Sequence, residues 1–127
     1  MKFLFGIVSF LIITFGSPAD VPYSEIENAF VKKNAEAVAK MGNDKLSISI
    51  LGKESIYSNQ QATLVLKDFL SKHPLQDFKF IFKGKENSDG SFAIASYEAK
   101  NEKFRFTFHF KKSDSSYKII RLNIEKE

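Results

Sequence analysis

Cysteine is absent from the 127 residues, and histidine occurs twice, proline three times and glycine six times. Without cysteine there is no lipid-modified amino terminus, no disulfide, no thiol nucleophile and no thiolate metal ligand. Two histidines, His73 and His109, are too few and too far apart in the chain for a zinc set of ordinary spacing. No Gly-x-Ser-x-Gly elbow marks a serine nucleophile, and no glycine-rich loop is present to cradle phosphate. Low-complexity tracts, internal repeats and linkers are missing as well. The formal net charge is only +4, one unit of which is Lys2. That excess falls short of the dense basic face by which a protein binds nucleic acid, so no nucleic-acid partner is expected.

One long uncharged stretch remains, Phe3 to Phe15, behind Lys2 and ahead of Ser17-Pro18-Ala19. A basic start, an apolar centre and small residues at the −3 and −1 positions make a secretory signal peptide over 1–19. The apolar stretch is short of the roughly 20 residues that span a bilayer and stops at Gly16-Ser17-Pro18, so no stable membrane anchor is expected after cleavage. Export to the periplasm or the exterior follows. Intact-mass measurement of exported protein should show a chain beginning at Asp20, and a folded, membrane-bound species retaining Met1 to Ala19 would refute this. Residues 20–127 then form a single domain, of a size at which folding removes about two thirds of the unfolded chain's surface from water.

Within that domain Ser24-Glu25-Ile26-Glu27 reads as a capping box, and Ile26, Phe30, Ala37, Val38 and Met41 recur at helical spacing. A helix over 23–41 is predicted, ended by Gly42 in a left-handed conformation. Leu46, Ile48 and Ile50 alternate with serines, and Gly52 turns the chain toward Ile56 and Tyr57, a hairpin. Ser58 and Gln61 form a second capping box before the stripe Ala62, Val65, Leu66, Phe69 and Leu70, which Pro74 stops. After it come four alternating segments: Phe78/Phe80/Phe82, Phe92 to Ala99, Phe104/Phe106/Phe108/Phe110, and Tyr117 to Ile124. Turn residues separate them, so a four-strand antiparallel meander is predicted. The order is α-β-β-α-β-β-β-β, an α+β domain with an antiparallel sheet on two helices.

If Asn101-Glu102 is a two-residue turn, Ala95 faces Phe108, Tyr97 faces Phe106 and Glu98 faces Arg105. If Ser113 to Ser115 is a three-residue turn, Phe106 faces Leu122 and Phe108 faces Ile120. Both registers put the phenylalanines with Ile120, Leu122 and Ile124 on one face, the floor for the helices. The other face then carries Phe92 beside Lys111 and Tyr117, and Ile94 beside His109 and Ile119.

Gly52-Lys53-Glu54-Ser55-Ile56-Tyr57-Ser58-Asn59-Gln60-Gln61-Ala62, leading into Leu66-Lys67-Asp68-Phe69 and Pro74, resembles the bacterial domain-of-unknown-function family 4783 (DUF4783). Lys103-Phe104-Arg105-Phe106 and Tyr117-Lys118-Ile119 sit where that family places its last hairpin. The resemblance covers residues 20–127 and implies a nuclear-transport-factor-2-like, cystatin-like cone, a curved sheet closed by helices. It implies no reaction, ligand or catalytic residue.

The cone nevertheless defines what to look for. Enzymes of the ketosteroid-isomerase kind keep a carboxylate base and a tyrosine or protonated aspartate inside an apolar pocket, where desolvation tunes them. Here Tyr97 is the inward tyrosine, beside Phe80, Phe106 and Phe108. Asp68 is the one acid near an apolar helix stripe, where a solvated helix-face aspartate is the plainer reading. His73 is expected to satisfy carbonyls at the end of its helix, and His109 to lie at the surface. Two functions are carried forward: a non-catalytic module that binds an apolar small molecule or an envelope protein, and a small isomerase or dehydratase. No catalytic residue, metal or cofactor is assigned. Phe92, Ile94, His109, Tyr117 and Ile119 are the expected interface, for a partner or for a second copy of the chain.

Overall fold

The computed structural model describes residues 20–114 and 116–127, so the leader lies outside the described residues. The chain runs through α1 (Tyr23–Val31), α2 (Ala35–Lys40), β1 (Gly42–Ile50), β2 (Lys53–Ser58), α3 (Asn59–Lys72), β3 (Leu75–Lys83), β4 (Gly90–Ala99), β5 (Glu102–Ser113) and β6 (Ser116–Lys126). The six strands form one sheet in the order β2-β1-β6-β5-β4-β3. β3 to β6 make the expected meander, but β1 joins β6 in parallel, so the sheet is mixed.

The predicted first helix is two helices. At about 100° per residue, the buried residues of α1 (Ile26, Ala29, Phe30) and of α2 (Ala35, Val38, Ala39) would lie on opposite sides of one continuous helix. A break at Lys33, with φ of 56°, brings both sets onto the core. Asn34 restarts the helix, its side-chain oxygen accepting the Ala37 N–H at 3.1 Å. The start also differs from expectation: the cap is Pro22, with no side-chain cap. Glu27 Oε2 instead accepts the Phe80 N–H at 3.0 Å, closing an amide of the edge strand β3. Nor is Gly42 a left-handed terminator. It opens β1, buried where the Ile119 N–H donates to the Met41 carbonyl at 2.9 Å. A Cβ there would stand 3.2 Å from the Ala39 oxygen and 3.3 Å from that of Ile119.

The second capping box forms as read: Ser58 Oγ accepts the Gln61 N–H at 3.2 Å and Gln61 Oε1 accepts the Ser58 N–H at 3.0 Å. Asn59 then donates to the carbonyls of Ala39 and Asn43, both at 2.9 Å, which ties the start of α3 to the α2–β1 corner.

Two registers shift. The β4–β5 turn is Lys100-Asn101, with Asn101 at φ 61°, so Ala95 pairs with Phe106, Tyr97 with Phe104 and Glu98 with Lys103. Sliding a turn by one residue moves each partner by two, which keeps every side chain on its face. Between β5 and β6 a bulge intervenes: Phe110 pairs with Ile119 but His109 with Arg121, leaving Ile120 over. The extra residue inverts the alternation. Phe108 therefore faces Leu122 and Phe106 faces Ile124, whereas Tyr117 and Ile119, expected outside, are buried, and Ile120, expected in the core, is half-buried. A second bulge in β3 leaves Ile81 between the Phe80–Ala95 and Phe82–Ile94 pairs. Phe82 thereby leaves the row of Phe78 and Phe80 and joins the outer face.

Candidate functional site

Tyr97, Phe106 and Phe108 are buried on the inner face and Phe80 is half-buried beside them, so the structure brings together four of the five pocket candidates, all but Asp68. Their rings pack on one another and on those of the helices. Tyr97 stacks on Phe106 at 4.9 Å between centroids, Phe80 packs 5.5 Å from Phe108, and Phe30 stacks on Phe78 at 4.3 Å. Phe69 of α3 adds edge contacts to Tyr97, Phe104 and Phe106 at 5.1–5.7 Å. Clefts of about 560, 470, 440 and 310 Å³ lie elsewhere, and none of the four is lined by Tyr97, Phe106 or Phe108.

The chemistry of this interior is correspondingly quiet. The Tyr97 hydroxyl donates to the His73 carbonyl, and burial pushes its pKa well above the ordinary phenol range. A phenol so placed holds its proton. Removing it with Tyr97→Phe should lower stability by about 1 kcal/mol, since the carbonyl loses a partner; chemical denaturation would measure this. Asp68 is exposed and pairs with Lys72 at 3.2 Å, so this carboxylate does not join Tyr97.

Three polar features escaped the sequence reading. His73 was expected to serve helix carbonyls; its Nδ1 instead lies 2.7 Å from Glu102 Oε1, with Lys126 Nζ 3.2 Å from the same carboxylate. These neighbours, His73 first, hold the Glu102 carboxyl below its ordinary range. The pairing depends on where the β4–β5 turn falls, which spacing left one residue out. The second is Glu27 of α1, whose carboxylate accepts the Phe80 N–H of β3. At the other end of the sheet Tyr23 packs edge-on against Phe80 at 4.8 Å, and Lys83 Nζ lies 4.8 Å from its ring. Burial of the Tyr23 hydroxyl raises its pKa, with Ser91 beside it acting in the opposite direction. Tyr117, once inward, donates to the Asn87 carbonyl at 3.0 Å and so belongs to this end rather than to an outer patch.

The outer face keeps Phe92, Ile94 and His109 from the expected interface and gains Phe82. Phe82 and Phe92 lie 5.4 Å apart, and His109 stacks on Phe92 at 6.1 Å and 25°. The two phenyl groups are 47% and 41% exposed, which makes this an uncovered aromatic patch. Burial, with Arg121 directly opposite, holds the pKa of His109 below its ordinary value. Among the described residues no group of three or more histidine, aspartate and glutamate side chains is placed to hold a metal.

Comparison with known proteins sets this arrangement in a family. A DUF4783 family protein from Bacteroides uniformis is 26% identical, with a TM-score of 0.77 over 85% of this chain and 98% of that one. A domain of unknown function with a cystatin-like fold from Nostoc punctiforme matches at TM-score 0.65 and 10% identity, over 82% of this chain and 72% of that one. A ketosteroid isomerase-like protein from Erwinia carotovora atroseptica matches at TM-score 0.65 and 14% identity, over 81% and 88%. The last two likenesses show the fold alone, the nuclear-transport-factor-2-like, cystatin-like α+β arrangement. No curated protein matches. The model of the domain of unknown function DUF4783 matches residues 23–125, and with that span the chain belongs to the DUF4783 family.

Proposed function

We propose that this protein is an exported, non-catalytic binding module that docks an envelope protein through the outer face of its sheet. The observation that carries the reading is the aromatic patch of Phe82, Phe92 and His109, uncovered on a domain whose interior is already filled by its own rings. A contiguous apolar patch on a small domain marks an interaction surface more often than a lone exposed side chain does. The filled interior weighs against an apolar small molecule there, and it weighs equally against the isomerase or dehydratase alternative, which needs an acid beside Tyr97.

The test is a photo-crosslinking side chain placed at Phe92 and, as control, at Leu64, an equally apolar residue 65% exposed on α3. A discrete adduct from position 92 in the producing cells, absent from position 64, is the expected result. Equal labelling at both positions, or none at 92, would overturn the reading. Asp68→Asn should meanwhile change stability by no more than about 0.5 kcal/mol, as surface substitutions do. If a reaction is found and Asp68→Asn slows it a hundredfold with binding intact, the carboxylate is a general base and the enzyme alternative stands.

A further inference from the structure

Resting on the reading of the outer face as a docking surface, we infer that its partner is an acidic protein segment carrying apolar side chains, rather than a second copy of this chain or a membrane. The register places the cations. His109 stands directly opposite Arg121, and Lys111 directly opposite Lys118. Lys111 and Lys118 are like charges facing one another across an antiparallel pair, which is destabilising, so nothing in the isolated fold rewards that pairing. Lys85 lines the cleft that Phe92 and His109 share, with Asp89 its one acidic lining residue. Among the described residues none of Lys85, Lys111, Lys118 and Arg121 forms an ion pair. On the far side of Ile94 the row Lys79–Ser96–Arg105 closes the patch, and there acids reappear, with Glu125 opposite Arg105 and Glu127 3.2 Å from it. The apolar centre is thus bordered at its His109 end by unpaired positive charge, which an anionic partner would complement.

Other occupants fit less well. A two-fold pairing centred on the His109 end of this face would set each cation cluster near its own copy, at the cost of like-charge repulsion. Pairing along the open edge of β3 is hindered because Glu27 already takes the Phe80 N–H and a bulge interrupts the strand at Ile81. For a membrane, the rings would have to project beyond the lysines. Phe92 instead lies directly opposite His109 on β5, beside the longer side chain of Lys111 on the same strand.

The experiment measures binding of the full domain to a labelled peptide in which glutamate alternates with leucine. The same peptide with lysine for glutamate, and vesicles containing phosphatidylglycerol, are the comparisons. Binding of the glutamate peptide should weaken as salt rises. A double variant Lys118→Glu, Arg121→Glu should weaken it roughly tenfold or more, Arg121→Lys should largely retain it, and Phe92→Ser should weaken it without lowering the melting temperature. Equal binding of the lysine peptide, binding to vesicles alone, or a dimer in sedimentation that Phe92→Ser disperses would each overturn the assignment. A position-92 crosslink that persists while the glutamate peptide fails to bind would leave docking standing and remove only its acidic partner.

Discussion

Phe106→Ala should lower the unfolding free energy by about 3–5 kcal/mol, the range for removing a buried aromatic ring and leaving a cavity behind. The ring is wholly buried and its neighbours come from every layer: Tyr97 stacked at 4.9 Å, Phe30 at 5.6 Å, Phe69 at 5.7 Å and Phe78 at 5.8 Å. Those rings belong to β4, α1, α3 and β3, so no single element can close the gap by shifting alone. Against a total of roughly 5–15 kcal/mol for a domain, the loss is severe. Urea denaturation of the two proteins measures it. A midpoint unchanged within error would mean that Phe106 does not face the helices.

Gly90→Ala should cost about 3 kcal/mol, at the upper end of what forced overpacking does. A Cβ built on Gly90 would stand 2.1 Å from the Phe110 carbonyl oxygen, and that oxygen belongs to a strand and cannot turn aside as a side chain would. The loop before Gly90 offers no slack either. Asn87 Oδ1 accepts the N–H groups of Asp89 and Gly90, and the Asn87 N–H donates back to the Gly90 carbonyl at 3.1 Å. The expected result is a clear drop in melting temperature, together with faster amide exchange at Gly90 and Lys111, the pair that the substitution would force apart. A variant as stable as the parent would show that β4 meets β5 differently at this end.

How far the site was legible follows from what alternation can and cannot report. Phe104, Phe106, Phe108 and Phe110 share one face because β5 is regular over them, so their burial was readable from spacing alone. Tyr117 and Ile119 were misplaced because the bulge at Ile120 carries no residue signature. Phe82 was likewise placed with Phe78 and Phe80 until Ile81 proved to be the extra residue. The aromatic patch that carries the functional reading exists because of that second irregularity, which turns an expected core ring outward. Helix α1–α2 was misread for a related reason. Apolar spacing was counted straight through Lys33, and a single positive φ re-aims everything after it.

The sequence by itself determined the α+β class, the strand count of the sheet, the capped second long helix and the absence of thiol and clustered-histidine chemistry. Each of these rests on local composition, periodicity or capping, which act within a few residues of chain. Only the tertiary structure decided that β1 and β6 run parallel, that the rings of Tyr97 and Phe106 stack on one another, and that Lys111 faces Lys118 beside an exposed aromatic patch. Those outcomes depend on bulges and on contacts between segments far apart in the chain. Their geometry is set by how the inner rings pack together, which the order of residues along a strand does not record.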